Sequence, residues 1–414
     1  MKLFFLFAVA LAAVSVSASN YDEAKVGQYS LPDPLVGADG TRVANSEIWT
    51  QHRRPEILEL YRENIFGRSP DAGTNITFNV WETATNALGG SATRKQIEIN
   101  FSGTPDGPLA HLLLYTPAGK ISAPTFLCLS FGGNATVIDD PAIAIFPEWN
   151  WKTKQFGMPK NPVRGSAARN WKISETIAHG YGIAVVDYRE IEPDLPGGTG
   201  FKYGVHKNFP PPQKNGWGAI GAWAWGASRA LDYLQTDCDV DAGRVILFGH
   251  SRLGKTVLWA AAQDTRFAAV IANGSGEMGA VLSRRDYGET VADVCRHFPY
   301  WMAGNFLQYS NRWSALPVDA HFLISLIAPR PLFLNSGSED KWGDPNGEFL
   351  AARAAAPVYE LLGKTGITET NFPPLDWPLK HEVWLNCHAG KHDVLPSDWD
   401  KFLDFADAHF SGNK

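Results

Sequence analysis

Cysteine is scarce in this 414-residue chain. The four present, Cys128, Cys238, Cys295 and Cys387, are too few and too scattered for a disulfide scaffold, and no Cys-x-x-Cys pair offers a zinc site. Cys128 lies in the apolar run from Thr125 to Leu129 and reads as a buried thiol, while one bridge among the other three is compatible with the sequence. Lysine and arginine form no run, and a formal net charge of −6 gives no basic field to attract nucleic acid. After the N-terminal eighteen residues no apolar stretch approaches the length that spans a bilayer. Internal repeats and low-complexity tracts are also missing, which excludes a repeat architecture.

What is present begins with a targeting signal. Lys2 gives the positive start, Leu3 to Val14 is an unbroken apolar run, and Val16-Ser17-Ala18 supplies the small residues of a cleavage site. The mature chain is therefore expected to start near Ser19 and to work outside the cytoplasm, secreted or periplasmic, with no membrane association after cleavage. A hydrophobic share of 44% is ample for a large core, and 15 Trp are compatible with sugar-stacking surfaces, although most should be core or wall residues. Asn75, Asn134 and Asn273 each open an Asn-x-Ser/Thr triplet, and two of them lie close to the site described below, which argues against glycosylation there.

Asn45 or Ser46 can cap a helix from Glu47 to Phe66, whose Ile57, Leu58, Tyr61 and Ile65 recur at helical spacing. Three strands are predicted next, over 76–81, 96–101 and 111–115, the second alternating as a half-exposed antiparallel edge does. From Thr125 the pattern changes to continuous apolar strands, over 125–130, 182–187, 245–248, 268–272, 332–335 and 382–385, separated by helices. That is the mark of a parallel sheet. Helices are predicted over 219–234 and 399–410. The Pro-, Gly- and aromatic-rich stretches 139–171 and 190–216 read as insertions over the sheet rather than as linkers.

The most informative segment is Gly249-His250-Ser251-Arg252-Leu253-Gly254-Lys255. It follows the strand-like run Arg244 to Phe248 and precedes the buried-helix run Thr256 to Ala262. A serine on a glycine-flanked strand-to-helix turn is the nucleophile elbow of α/β-hydrolases, which lifts the hydroxyl out of the sheet and aims helix N–H groups at an oxyanion. The expected fold is a three-layer α/β-hydrolase sandwich, its mostly parallel central sheet carrying an antiparallel N-terminal part and long insertions over the active-site face. Residues 19–414 should form a single catalytic domain. A serine nucleophile needs a base and the base an acid, in the chain order Ser, acid, His. His388 and His392 both follow the last strand; His392 lies farther into its loop beside Gly390 and is the better base, with His388 supporting the loop. The acid is expected after the strand 332–335, at Asp340 or Glu339. Phe131-Gly132-Gly133-Asn134 occupies the place of the second oxyanion loop, and Lys255, four residues after Ser251, shares its helical face.

The elbow departs from Gly-x-Ser-x-Gly, since Leu253 stands where the second glycine belongs and Gly254 comes one place later. The pattern Gly-x-Ser-Arg-x-Gly-Lys resembles the glucuronoyl esterases, carbohydrate esterase family 15. That resemblance covers the chain from Ser130 onward. It implies hydrolysis of the ester between a lignin alcohol and 4-O-methyl-glucuronic acid of xylan, without metal or cofactor. It further implies Ser251 as nucleophile, His392 as base, Arg252 as a charged oxyanion donor, and Lys255, Glu289 and Trp342 as the sugar site. Fungal members carry a glutamate acid where Gly274 stands here, so the acid is expected at Asp340, with Glu277 as the competitor. The partners implied are glucuronoxylan and lignin-carbohydrate complexes, met by a monomer. Two other readings are kept: another carbohydrate esterase such as an acetyl xylan esterase, which would not need Arg252 and Lys255, and a non-catalytic, Trp-rich glycan-binding protein.

Overall fold

The computed structural model describes residues 19–71, 75–160 and 163–411, so the signal peptide expected over 1–18 lies outside the described residues. Three strands come first, β1 (Thr77–Asn86), β2 (Ala92–Asn100) and β3 (Leu109–Pro117), each antiparallel to the next. After β4 (Ala123–Ser130), a hairpin of β5 (Glu148–Asn150) and β6 (Gln155–Gly157) stands apart from the main sheet. The chain then supplies β7 (Gly182–Asp187), β8 (Val240–His250), β9 (Ala269–Asn273), β10 (Leu332–Gly337), the short β11 (Leu379–Lys380) and β12 (Val383–His388). The main sheet has ten strands in the order β1-β2-β3-β7-β4-β8-β9-β10-β12-β11. From β7 to β12 neighbours are parallel, with an antiparallel sheet on the N-terminal side, as the change of pattern at Thr125 required.

The parallel strands are buried on both faces because each face carries its own core. In β4, Phe126 and Cys128 point into a cluster with Tyr181, Trp399 and Phe402, while Leu127 and Leu129 point into the opposite cluster with Leu231, Val257 and Tyr359. This period of two is the strand geometry itself. The first cluster is covered by α6 (Pro396–Phe410); the second, larger one holds α1 (Arg54–Asn64), α2 (Ala219–Leu234), α3 (Arg252–Gln263), α4 (Ala320–Ile327) and α5 (Pro345–Leu361). The result is helix, sheet, helix in three layers, the α/β-hydrolase architecture. All four cysteines are free thiols, Cys128 among the buried ones, so no bridge forms among the other three.

Several elements run longer than predicted, β8 from Val240 rather than Val245, and the strand read as an edge over 96–101 is β2, between β1 and β3; two further differences have a local cause. The helix read over 47–66 starts at Ser46, capped by the Asn45 side chain, which accepts the Ile48 N–H at 2.9 Å. It widens into a π turn at Trp49–Arg53 before α1 continues. Pro55 is the reason: it has no N–H for the carbonyl four residues back, and the Arg54 N–H closes a longer ring on the Trp49 carbonyl instead. The strand expected over 76–81 extends to Asn86 through a bulge between Val80 and Glu82, where Glu82 pairs with Arg94 across β2.

The elbow explains its own sequence. Leu253 is fully buried among the α2 and α3 core residues, and Gly254 faces β9 instead: a Cβ there would lie 3.0 Å from the Asn273 carbonyl oxygen. Leu253→Gly, which restores the common spacing, should therefore cost about 3–5 kcal/mol from lost burial and helix entropy. A urea titration should report this as a lower midpoint with unchanged slope; an unchanged midpoint would deny Leu253 its packing role.

Candidate active site

Ser251 ends β8 and begins α3 with φ 58° and ψ −127°, a left-handed conformation that a serine adopts only when its surroundings impose it. The imposing contacts are on both sides. The Ser251 N–H donates to the Asn273 carbonyl at 2.8 Å, and the Ser251 carbonyl accepts from Gly254 N–H at 2.7 Å and Lys255 N–H at 3.2 Å. Gly249 is equally constrained, since a Cβ there would fall 2.2 Å from the Leu253 carbonyl oxygen. No side chain caps α3, which leaves its first N–H groups open beside the serine hydroxyl. The hydroxyl makes no hydrogen bond to any described residue.

His392 is brought to the same corner. Its Nδ1 donates to Asp340 Oδ2 at 2.6 Å, which fixes the ring and leaves Nε2 as the acceptor. Asp340 lies on the loop after β10, and its other oxygen accepts the Gly343 N–H at 3.0 Å. Burial pushes its carboxyl up, but the hydrogen bond and charge of His392, with the Gly343 N–H, hold it below the ordinary carboxylate range. Gly274 lies against the imidazole, where a Cβ would come within 2.9 Å of His392 Cε1.

The other candidate acids lie elsewhere. Glu339 is exposed and is held by its backbone, the N–H donating to the Gly390 carbonyl at 2.7 Å and the carbonyl accepting the Lys341 N–H at 3.0 Å. Glu277 is buried, its carboxyl oxygen accepting the Ser283 hydroxyl. Burial, with Asp319 and Glu289 nearby, holds the Glu277 carboxyl well above its usual range. His388 is fully buried, with Nε2 donating to the Lys391 carbonyl at 3.0 Å and Nδ1 3.1 Å from Asp398, so it braces the loop that carries His392.

Arg252 sits in an aromatic box. Its guanidinium carbon lies 4.7 Å from the Trp301 ring, 5.8 Å from Phe131 and 5.9 Å from Phe298, and its Nη1 donates to Asp194. Asp194 also accepts from Tyr188 at 3.0 Å, Tyr300 at 2.8 Å and Trp301 Nε1 at 2.9 Å. Burial alone would lower the Arg252 pKa, but Tyr188 and Asp194 outweigh it and keep the guanidinium charged. The predicted second oxyanion loop adjoins this box through Phe131, while Asn134 turns inward to the His111 carbonyl at 2.8 Å. A cavity of about 530 Å³ opens beside Arg252, lined by Phe131, Phe146, Trp149, Trp151, Phe156 and Tyr188. Both predicted insertions contribute to it.

On another side of the elbow, Lys255 Nζ donates to the Ser275 carbonyl at 2.7 Å and lies 3.4 Å from Glu289 Oε2. Both are nearly buried. The Glu289 N–H donates to the Trp342 carbonyl at 2.9 Å, and Gly288 approaches that carbonyl so closely that a Cβ would fall 2.5 Å from it. Trp342 keeps 40% of its surface exposed. All seven residues singled out in the sequence thus meet at the C-terminal edge of the sheet. Sequence reasoning missed Asp194, Trp301, His250 and Asn273; Asp194, inside the 190–216 insertion, had no local signal, whereas His250 and Asn273 stand at strand ends facing the turn.

Glu277 supplies a pH test of its placement. Its folded pKa is raised, so the folded state carries a protonated carboxyl that the unfolded chain would ionise, and stability falls as pH rises from the ordinary carboxylate range toward the folded pKa. Glu277→Gln should match the parent near pH 5 and exceed its urea midpoint at pH 8. A variant less stable than the parent at pH 8 would mean that the carboxylate is held ionised.

Comparison with known proteins agrees with this geometry. The family model for fungal glucuronyl esterases matches residues 177–363. The carbohydrate esterase MZ0003, from an unknown prokaryotic organism, is 45% identical over 95% of this chain and 92% of its own. The solved glucuronoyl esterase from Solibacter usitatus is 46% identical, covering 94% of this chain and 100% of that one with a TM-score of 0.90. A glucuronoyl esterase from Teredinibacter turnerae superposes at TM-score 0.80 with 32% identity, over 95% of this chain and 93% of its own. With the likeness extending over nearly the whole of both chains, this protein belongs to the glucuronoyl esterases, carbohydrate esterase family 15.

Proposed function

We propose that the protein is a serine esterase that cleaves the ester between 4-O-methyl-glucuronic acid of glucuronoxylan and lignin alcohols. Fungal relatives named 4-O-methyl-glucuronoyl methylesterase support the substrate class. Ser251 Oγ attacks the uronate carbonyl while His392 Nε2 takes its proton, and Asp340 steadies the imidazolium. The oxyanion is met by the Arg252 N–H at the helix start and by the Arg252 guanidinium, which Asp194 and the aromatic box pre-orient. Collapse expels the alcohol with the proton from His392 and leaves a glucuronoyl ester on Ser251. Water, deprotonated by the same imidazole, then releases free glucuronate. These side chains supply every step. The enzyme is proposed to act as a monomer, residues 19–414 forming one catalytic domain, secreted or periplasmic once residues 1–18 are removed.

The observation that carries this reading is a buried ion pair near the nucleophile: Lys255, one helical turn after Ser251, and Glu289, whose N–H bonds the carbonyl of the exposed Trp342. An acetyl group offers such a pair nothing to bind, whereas sugar hydroxyls satisfy both. The aromatic cavity on the Arg252 side suits the alcohol half. Lys255→Ala and Glu289→Ala should each lose about 10–100-fold in kcat/KM on benzyl glucuronate, from one or two hydrogen bonds lost, and much less on an aryl acetate. Equal losses on both substrates would remove the sugar-site assignment, and faster release of acetate from acetylated xylan would favour the acetyl esterase. Absent labelling of Ser251 by a fluorophosphonate would favour the binding protein.

The acid is tested separately. Asp340→Ala should reduce kcat by about 10⁴, as loss of the orienting acid does in such triads, with Glu339→Ala and Glu277→Gln near the parent. A nearly active Asp340→Ala beside a dead Glu277→Gln would transfer the role to Glu277.

A further inference from the structure

His250 precedes the nucleophile and takes no part in the mechanism above, yet its ring lies 4.5 Å from that of His392, centroid to centroid, at a tilt of 38°. Both rings rest on the backbone of Gly274: a Cβ there would lie 2.9 Å from His392 Cε1 and 3.5 Å from His250 Cε1. Phe131 closes the other side of His250, edge-on at 6.0 Å.

The hydrogen bonds around Asn273 fix which nitrogen of His250 carries the proton. Asn273 Nδ2 lies 2.9 Å from the Asp393 carbonyl and 2.6 Å from His250 Nδ1. A backbone carbonyl only accepts, so the Asn273 amide must present its NH2 to that side. Its Oδ1 then accepts the amide of Asn335, which in turn accepts from Asn386 at 2.7 Å. One amide hydrogen goes to Asp393 and the other to His250, whose Nδ1 must therefore be the acceptor. A proton on Nδ1 would set two donors against each other.

We infer that His250 is a positioning residue for His392, held by Asn273 as a neutral imidazole with its proton on Nε2, so that it backs the ring of the base without adding a second positive charge. The inference rests on the reading of His392 as the base. When His392 takes the serine proton it becomes a cation, and a charged ring stacked on it would oppose that step. Burial, reinforced by the neighbouring His392, drives His250 down to about 3, although the Asn273 carbonyl, Asp393 and Asp340 pull the other way.

The experiment combines a direct readout with kinetics. In the full-length enzyme labelled with ¹⁵N-histidine, the Nδ1 resonance lost in His250→Phe should be that of an unprotonated nitrogen and should not titrate between pH 8 and pH 5. A protonated Nδ1, or titration in that interval, overturns the inference. On benzyl glucuronate, His250→Ala should lose about tenfold in kcat with KM unchanged, as a misplaced base does, and His250→Phe should recover to within about threefold of the parent by restoring the ring face. Asn273→Leu frees Nδ1 and should move the acid limb of the kcat profile to higher pH, and the double variant Asn273→Leu/His250→Phe should not show that move. Parent-like His250→Ala, no recovery in His250→Phe, or an acid-limb move that persists in the double variant would each overturn the role. His392→Ala is the reference: if it keeps parental turnover, the assignment of the base fails instead.

Discussion

The end of strand β9 is the point to which the active corner is fastened. The Asn273 carbonyl accepts the Ser251 N–H, its side chain bonds the Asp393 carbonyl and His250, and its Oδ1 ties to Asn335 and through it to Asn386. Three strand ends are thereby locked in register immediately before the loops that carry Asp340 and His392. A buried amide left without partners costs about 1–3 kcal/mol, so a rung in which Asn273 is fully satisfied is a rigid one. Glycines make the approach possible: Gly254 lets the helix touch Asn273, and Gly274 lets His392 lie on the strand end. The same burial leaves no room for a glycan on Asn134 or Asn273.

Charge is arranged around this fixed point at some expense to stability. Buried ion pairs contribute little net stability, because desolvation offsets their attraction. The chain nevertheless keeps Arg252 on Asp194 and Lys255 near Glu289, each at a short distance from Ser251 along α3. Asp194 receives four donors, so the guanidinium is held by a carboxylate that is itself immobile. A cation pre-oriented in this way need not reorganise when negative charge develops, which is where electrostatic catalysis has its largest effect.

Local signals in the sequence were sufficient for nine of the ten strands of the main sheet and for the elbow, and missed only the two-residue edge strand β11. Continuous apolar runs fix parallel strands, and the strand-turn-helix context singles out Ser251 without knowledge of the rest. The choice between Asp340 and Glu339 was harder, since they are neighbours and only the fold decides which faces inward. Asp340 caps the short turn Lys341–Gly343 and points to His392, whereas Glu339 points to solvent. Asp194 was illegible because its partner lies 58 residues away and the insertion between them has no periodicity. The π turn before α1 was not read from the sequence, because apolar spacing does not register it. Disulfide pairing could not be judged from four scattered cysteines either; the fold keeps them as free thiols.

Ser251 is proposed to act as a covalent participant, with the glucuronoyl group as the half retained on the enzyme. The most direct measurement is rapid acid quenching during turnover of benzyl glucuronate, followed by peptide mass mapping. The expected result is a transient mass increment of one glucuronoyl group on the peptide bearing Ser251, formed as benzyl alcohol is released and lost as glucuronate appears. An increment on a different residue, or turnover with no covalent species under conditions that trap an acyl-enzyme, would contradict it.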